Sequence, residues 1–229
     1  MSNIAQGIQL VQQRIIDAAM AANRDPLEIT LLAISKTRPI DDIRAAITAG
    51  QRHFGENYLQ DALPKITELS AENPPLCWHF IGAIQSNKTN DIAQHFDWVH
   101  TLERLKIARR LNEQRPEELE PLQVCLQVNI SNEASKSGIT AEQLQQLAEE
   151  VQALPHLKLR GLMAIPAASD DIVQQREAFA KLRQLFEQLN QQGHQLDTLS
   201  MGMSNDLEAA ITEGSTMLRI GTAIFGARA

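Results

Sequence analysis

Aromatic side chains are scarce in this sequence of 229 residues, at 4% of the total. Any hydrophobic core must therefore be built from aliphatic side chains, and hydrophobic residues are plentiful at 43%. Charged residues contribute 21%, a proportion typical of globular rather than disordered proteins. Single α/β barrels commonly run to about 250 residues, so we expect residues 1–229 to form one domain.

Cysteine is rarer still, and the two thiols, Cys77 and Cys125, lie far apart in apolar surroundings. They form no CxxC pair and no cluster with histidine, so the sequence suggests neither a zinc site nor a disulfide framework. The histidines share no metal-ligand spacing either; they are His53, His79, His95, His100, His156 and His194. Two interpretations remain open for His79, a core histidine or one that faces a bound cofactor.

Long apolar runs and an excess of positive charge are also missing. Residues 1–22 lack the basic start and apolar segment of a signal peptide, and they contain no 18-residue apolar stretch. The formal net charge of -7 argues against nucleic acid or an anionic membrane as a partner, because both select basic surfaces. We therefore expect a cytoplasmic protein that binds neither nucleic acid nor membranes.

The sequence does contain a regular alternation of strand and helix patterns. Apolar residues at three- and four-residue steps, from Ile4 to Ile15, predict a first helix that ends before Asn23. Apolar runs that predict strands follow at 29–36, 52–56, 78–84, 97–102, 122–130, 157–165, 198–203 and 217–225. Helical patterns lie between them, and eight such units most naturally close into a (β/α)8 TIM barrel. An open doubly wound sheet is the competing architecture.

Two features favour closure of the barrel. The last predicted strand ends shortly before Ala229, which leaves no room for an eighth helix, and the N-terminal helix could fill that position. The segments LQVCLQVNI and LKLRGLMAI are also typical of strands that are covered on both faces. In such a barrel, functional residues lie where the strands end in βα loops.

Lys36 lies at the end of the first predicted strand, in LLAISKTRPI, and shares its parity with Leu32 and Ile34. If these side chains point into the barrel, the Lys36 amine lies in a partly dry mouth. Such surroundings lower the pKa of an ammonium group and favour the nucleophilic amine that Schiff-base lysines require. The alternative is a loop lysine that reaches solvent.

The last strand suggests an anion site. Arg219 lies within the otherwise apolar MLRIGTAIFG, where Gly221 and Thr222 offer backbone and hydroxyl donors. Loops after strands seven and eight commonly bind phosphate in these barrels, and Ser200 and Ser204 could add hydroxyl groups. Together with a lysine amine, this arrangement suits pyridoxal 5'-phosphate (PLP). The alternatives are a salt bridge for Arg219 and a packing position for Gly221.

Six stretches carry a family resemblance: LLAISKTRP, QRHFGENYLQDALPK, WHFIGAIQSNK, FDWVHTLERL, RGLMAI and LSMGMSNDLEAAITEGSTMLRIGTAIFGAR. They resemble the pyridoxal phosphate homeostasis protein family over residues 28–228, and the motifs are long and specific. One departure is Ala83, where many members have proline, and it affects the rigidity of a loop more than the chemistry.

The resemblance implies a barrel like the N-terminal domain of bacterial alanine racemase, with PLP as an internal aldimine on Lys36. It also implies the remaining cofactor contacts: the phosphate with Ser200 or Ser204 and with Gly221 and Thr222, the pyridine nitrogen with Arg219, and the ring with Asn57. A guanidinium has no proton to surrender and no acceptor to offer, so the ring nitrogen stays unprotonated and the ring is a weakened electron sink.

We therefore predict a PLP-binding protein that holds, buffers or delivers the cofactor in vitamin B6 and amino-acid homeostasis, and not an enzyme. Racemases of this type use a tyrosine from a second domain, whereas this chain stops at Ala229 and has only Tyr58, so we expect that domain to be absent. A low-activity amino-acid racemase and a regulatory module that acts through a protein partner are the alternatives. The expected partners are PLP, amino acids and PLP-accepting apo-enzymes, and we expect a monomer.

Three further residues have open roles. Ser204 in GMSND superficially resembles a nucleophile elbow, but the final glycine is missing and no histidine follows, so we do not expect a serine hydrolase. Lys88 and Lys136 lie on loops predicted at the barrel mouth. They are either ordinary exposed lysines or residues that attract anions and accept PLP by transimination.

Overall fold

Eight parallel strands close into a barrel in the computed structural model, which describes residues 3–72, 75–131, 133 and 136–227. The strands are β1 (Thr30–Ile34), β2 (His53–Glu56), β3 (Cys77–Phe80), β4 (Trp98–Leu102), β5 (Leu122–Gln127), β6 (Leu157–Met163), β7 (Thr198–Ser200) and β8 (Met217–Ile220). They follow one another in chain order, and β8 pairs with β1 to close the ring. The predicted (β/α)8 barrel is confirmed, and the open sheet is excluded.

Helices connect the strands and surround the barrel. They are α1 (Asn3–Ala21), α2 (Ile40–Thr48), α3 (Leu59–Glu68), α4 (Thr89–His95), α5 (Leu105–Gln114), α6 (Ala141–Gln152), α7 (Ile172–Gln191), α8 (Leu207–Thr212) and α9 (Thr222–Phe225). Short 3-10 helices lie at Pro26–Glu28 and Ser86–Lys88. Within the described ranges, no helix is long and apolar enough to cross a membrane.

The strand side chains alternate between the inside of the barrel and the layer beneath the helices. Leu32, Trp98 and Met163 belong to an apolar group inside the barrel. Ala33 and Val99 point the other way and join the larger core between strands and helices. The wall is covered by the helices on its outer face and by packed side chains on its inner face. The strands therefore appear as nearly continuous apolar runs in the sequence.

Helix α1 packs beside the last strand, against α2, α8 and α9. Its buried face includes Ile8, Val11 and Ile15, which recur at the spacing of an amphipathic helix. Gly7 approaches α9 so closely that a Cβ atom there would lie 2.8 Å from the carbonyl oxygen of Ile224. The helix therefore occupies the position predicted for it, where a barrel otherwise places its eighth helix.

The strands are generally shorter than the apolar runs that predict them. The largest error concerns the run 217–225, because β8 ends at Ile220 and residues 222–225 form α9. Ile224 and Phe225 are buried, and α9 packs against α1. A short apolar run cannot distinguish a buried strand from a buried helical turn, so the strand prediction over residues 222–225 is wrong.

Candidate functional site

Lys36 follows the end of β1 by two residues, at the mouth formed by the carboxyl ends of the strands. Leu32 and Ile34, which share its parity, face the barrel interior as predicted. Lys36 is half-buried. Lys36 therefore lies at the mouth, directly after β1, where a bound molecule and solvent can both reach it.

A buried ion pair lies behind this segment, on the outer side of the barrel wall. The ammonium of Lys65 donates to Glu56 Oε1 at 3.0 Å and to the Ser35 carbonyl oxygen at 3.2 Å. The Ser35 hydroxyl donates to the same Glu56 oxygen at 2.6 Å. Burial raises the pKa of Glu56, although the hydrogen bond from Ser35 and the charge of Lys65 oppose that rise. The pair holds the residue directly before Lys36.

The residue after Lys36 is held by the same ion pair through Asp61. Thr37 has a φ of +63°, which is a strained backbone conformation for a β-branched residue. Its N–H donates to Asp61 Oδ2 at 2.9 Å, and Lys65 donates to that oxygen at 2.7 Å. Burial alone would raise the pKa of Asp61, but these two hydrogen bonds, together with the charge of Lys65, outweigh it and lower the pKa. Both neighbours of Lys36 are thus fixed by one polar network.

Arg219 projects into the barrel from β8 and is 6% exposed. Its Nη1 donates to the Ser200 carbonyl oxygen at 2.6 Å and to the Ser200 hydroxyl at 2.8 Å, and its Nη2 donates to the Ala164 carbonyl oxygen at 2.9 Å. Burial lowers the pKa of Arg219 to about 10, and the charge of Asp206 opposes that fall. The guanidinium therefore remains a cation at neutral pH, fixed by three hydrogen bonds.

A chain of histidines continues from Ser200 through the barrel interior. His100 Nδ1 lies 2.8 Å from the Ser200 hydroxyl, His79 Nδ1 lies 2.9 Å from His100 Nε2, and His53 Nδ1 lies 3.0 Å from His79 Nε2. Burial lowers the pKa of His100 to about 3 and takes that of His79 well below its ordinary value. Arg219 donates to the hydroxyl oxygen of Ser200, which acts as the acceptor in that contact. The hydroxyl proton of Ser200 can therefore point at His100 Nδ1. With that orientation each ring carries its proton on Nε2, whereas the opposite orientation of the chain places the protons of His79 and His100 on Nδ1.

The residues predicted to bind phosphate lie near one another in sequence but differ in their surroundings. Gly221 is half-buried and Thr222 is exposed, at the start of α9. Ser204 is half-buried in the loop that follows β7. Ser200, in contrast, is fully buried, and its hydroxyl is engaged by Arg219 and His100. Among these residues, Ser204, Gly221 and Thr222 are the ones within reach of solvent.

Asn57 follows β2 at the mouth and offers a buried acceptor. Its Oδ1 atom has no hydrogen-bond partner among the described residues. The loop after β3 packs directly on the Asn57 backbone, because a Cβ atom on Gly82 would lie only 2.3 Å from the Asn57 carbonyl oxygen. Thr101 holds that loop by donating to the Gly82 carbonyl oxygen at 2.6 Å. A buried acceptor left open at the mouth fits a site built for a ligand.

The mouth also contains a cavity. It lies between the ends of β3, β4 and β5, and its lining includes Ile81, Thr101 and Gln127. Lys136, which was predicted at the mouth, forms an ion pair with Glu133 at 3.0 Å. The cavity therefore offers space at the mouth, while Lys136 has a carboxylate partner of its own.

Sequence reasoning missed two parts of this arrangement. The pairing of Lys65 with Glu56 joins two elements, and nothing in their spacing indicates it. The contact of His79 with His53 and His100 was also missed, although His79 itself was singled out. The alternation of side chains along each strand would have placed His53, His79 and His100 inside the barrel. This alternation is the one sequence signal that could have predicted their contact.

Comparison with known proteins places this barrel in a family. A family model described as the N-terminal domain of alanine racemase matches residues 18–229. The pyridoxal phosphate homeostasis protein of Pseudomonas aeruginosa is 61% identical over 228 residues, which cover 100% of this chain and 97% of that protein. The Escherichia coli K12 protein of the same name is 54% identical over 231 residues, which cover 100% of this chain and 98% of the relative.

Solved structures agree with this placement. PipY from Synechococcus elongatus, with PLP bound, has a TM-score of 0.80 at 36% identity and covers 93% of this chain and 100% of PipY. Alanine racemase from Corynebacterium glutamicum has a TM-score of 0.68 at 15% identity, covers 99% of this chain and 61% of the racemase, and shares the fold alone. The protein is thus a barrel of the alanine racemase N-terminal class. Within that class, the chain belongs to the pyridoxal phosphate homeostasis protein family.

Proposed function

We propose that this protein binds PLP at the barrel mouth, covalently through the Lys36 amine, and acts as a carrier that holds and releases the cofactor. One juxtaposition carries the proposal. Lys36 leaves β1 at the mouth, and Arg219 projects into the barrel from β8, the strand hydrogen-bonded to β1. The PLP bound in PipY and the names of the curated relatives support it.

Lys36 would supply the primary amine in this proposal, and bound PLP would supply an aldehyde able to form an imine with it, with release of one water molecule. The half-buried position keeps the amine accessible to a ligand that enters from solvent. The hydrogen bonds to Ser35 and Thr37 restrict the backbone on both sides of the lysine. A fixed backbone reduces the conformational entropy that is lost when the amine is held in place.

Arg219 is the proposed partner of the pyridine nitrogen. A guanidinium has five N–H donors, and the contacts with Ser200 and Ala164 use three of them. The remaining donors can face a ring nitrogen. Because arginine does not surrender its proton, that nitrogen stays unprotonated and the ring withdraws electrons weakly. The site therefore favours holding the cofactor over carbanion chemistry.

The phosphate group is assigned to the loops after β7 and β8. Gly221 and Thr222 offer backbone and hydroxyl donors at the start of α9, and Ser204 lies on the preceding loop. Ser200 is predicted for the same role, but its hydroxyl already contacts Arg219 and His100, so we assign it to the support of Arg219.

Asn57 is assigned to the cofactor ring, since its buried Oδ1 atom has no hydrogen-bond partner in the described part of the chain.

We propose a carrier rather than an enzyme. Racemisation requires a second acid–base group opposite the lysine. The only tyrosine of the sequence, Tyr58, is 59% exposed, and His100, which interacts with Arg219, is buried and neutral. The acceptors of released PLP would be apo-enzymes that require the cofactor.

Transfer of the cofactor tests the proposal. Protein loaded with PLP is freed of excess cofactor and mixed with an apo-enzyme that needs PLP, and recovery of the enzyme's activity is followed in time. We expect full recovery with wild-type protein and none with protein that was never exposed to PLP. An alanine racemisation assay with the same samples should give no turnover. Rapid racemisation, or failure of the wild-type protein to bind PLP at all, would contradict the proposal.

A further inference from the structure

Three potential metal ligands lie together at the end of the barrel opposite the mouth. His53 and Cys77 are the first residues of β2 and β3, and they are direct neighbours across the sheet. His79 lies two residues after Cys77 and points to the same side of the wall. One ligand atom from each residue lies within 4.8 Å of the other two. The proposed PLP site uses none of these three side chains.

The three side chains cannot satisfy one another fully by hydrogen bonding. His79 Nε2 lies 3.0 Å from His53 Nδ1 and 3.3 Å from the Cys77 sulfur. A neutral imidazole nitrogen carries either one proton or one lone pair, so it serves one of these two contacts well and the other poorly. A cation placed between the three atoms would accept a lone pair from each of them at once.

We infer that His53, Cys77 and His79 form a binding site for a zinc-class divalent cation. Two imidazoles and one thiolate are ligands that zinc prefers, and a fourth position would be left for water. Bond lengths of about 2.0 Å to nitrogen and 2.3 Å to sulfur require tetrahedral ligand atoms to lie about 3.3 to 3.6 Å apart. The separations of 3.0 and 3.3 Å around His79 need to widen by only a few tenths of an ångström, and the separation between His53 and Cys77, which is within 4.8 Å, has to reach the same range.

The surroundings support such a site. His79 Nδ1 lies 2.9 Å from His100 Nε2, and in the tautomer that leaves His79 Nε2 to the metal, Nδ1 donates its proton to His100. A hydrogen bond on the other ring nitrogen is the usual way in which proteins orient a ligating histidine. Asp97 interacts electrostatically with both His53 and Cys77; burial and the charge of Asp97 raise the pKa of the Cys77 thiol, so the thiolate needs the cation to form. On binding, the Cys77 thiol gives its proton to solvent and the thiolate joins the metal. The thiolate and Asp97 then balance the two positive charges.

The site is supported by rigid elements and is accessible. All three ligands lie on hydrogen-bonded strands of the closed barrel, which hold a site more precisely than loops do. His53 and Cys77 are half-buried rather than fully enclosed, so an ion can enter from the amino-terminal end of the strands. His79 is completely buried and forms the inner wall. Residue spacing did not indicate zinc binding, because His53 joins Cys77 and His79 through the register of β2 with β3.

Metal titration of the full-length protein tests the inference. The protein, without a histidine tag, is reduced, treated with EDTA and freed of chelator. Zn²⁺ binding is then measured by calorimetry, and Co²⁺ is used to detect thiolate-to-metal charge transfer in the absorption spectrum. We expect one equivalent of either ion to bind and the Co²⁺ band to appear. The measurement does not involve PLP, so its result is independent of the proposed carrier function.

Variants of the ligands give the decisive comparison. Cys77→Ser should abolish the charge-transfer band and His53→Gln should weaken Zn²⁺ binding at least about tenfold. The matched control is Cys125→Ala, which removes the other thiol, buried in the same barrel but outside the cluster. Circular dichroism verifies that each variant is folded. Absence of stoichiometric binding by the wild-type protein, or equal binding by Cys77→Ser and Cys125→Ala, would overturn the inference.

Discussion

The ammonium of Lys65 lies 3.0 Å from Glu56 Oε1, and both side chains are buried. Removal of one partner from a buried ion pair leaves the other charge without compensation, which costs about 3–5 kcal/mol. We therefore expect Lys65→Met to lower the free energy of unfolding by about that amount and to weaken PLP attachment at Lys36. Urea denaturation measures the first effect, and absorbance titration with PLP measures the second.

The double variant separates charge from packing in this pair. Glu56→Gln combined with Lys65→Met removes both charges, so most of the lost stability should return. Lys181→Met, an exposed position on α7, is the control for the substitution itself. A wild-type unfolding midpoint for Lys65→Met would show that the pair does not stabilise the segment around Lys36.

Arg219 offers a test of the proposed contact with the ring nitrogen. A glutamate at this position can share a proton with the nitrogen, whereas arginine cannot. We expect Arg219→Glu to change the absorption spectrum of bound PLP, since ring protonation alters its electronic structure. Because the substitution buries a carboxylate, Arg219→Met serves as a second variant that removes the cation without adding an acid. A spectrum unchanged in folded Arg219→Glu would reject the contact.

Individual site residues differed in how far the sequence could predict them. Lys36 was recognisable because strand parity and the following loop placed it at a strand end. The burial of Ser200 was not recognisable, because it depends on Arg219 and His100, which come from other strands. The partners of Lys65 were likewise hidden, since the closure of the barrel brings α3 against the end of β1. Contacts between distant elements were therefore beyond the reach of a local pattern.

The contact between α1 and α9 links the N-terminal helix to the proposed phosphate site. A Cβ atom on Gly7 would lie 2.8 Å from the Ile224 carbonyl oxygen, a distance that forces one helix to move. We expect Gly7→Ala to destabilise the protein by about 1–3 kcal/mol and to weaken PLP binding, because α9 begins at Thr222. Gln9→Ala, on the exposed face of α1, is the control. Equal thermal midpoints for the two variants would contradict this account.

The order and type of the elements were predictable, whereas their ends were not. All eight strands were found because apolar runs alternate with helical periodicity along the chain. The ends were overestimated where apolar residues continue past the last hydrogen-bonded pair, as they do after Ile220. In that segment, burial against α1 produces the same pattern of residues as burial in the sheet.

The barrel as a whole should lose stability in acid, because folding buries two neutral histidines. Burial lowers the pKa of His100 to about 3 from an ordinary value of 6.5, and the pKa of His79 is also well below that value. Between about pH 3 and pH 6.5, the unfolded chain binds more protons than the folded protein, because these histidines are protonated only in the unfolded chain. The free energy of unfolding should therefore fall below pH 6.5 by about 1.4 kcal/mol per pH unit for each histidine.

Urea denaturation at a series of pH values measures this dependence. His100→Gln should reduce the slope between pH 6 and 4.5 by about 1.4 kcal/mol per pH unit. His95→Gln, at the exposed end of α4, is the control for the substitution itself. The same slope in His100→Gln and in wild-type protein would mean that this histidine does not contribute to the acid lability of the barrel.

The central claim concerns the attachment of PLP to a single amine at the mouth of the barrel. Borohydride reduction of PLP-loaded protein, followed by proteolysis and mass spectrometry, identifies the labelled lysine directly. We predict one label per chain in the wild-type protein, located on Lys36 and not on Lys88 or Lys136. A label on another lysine, or no label on protein that has bound PLP, would contradict the account.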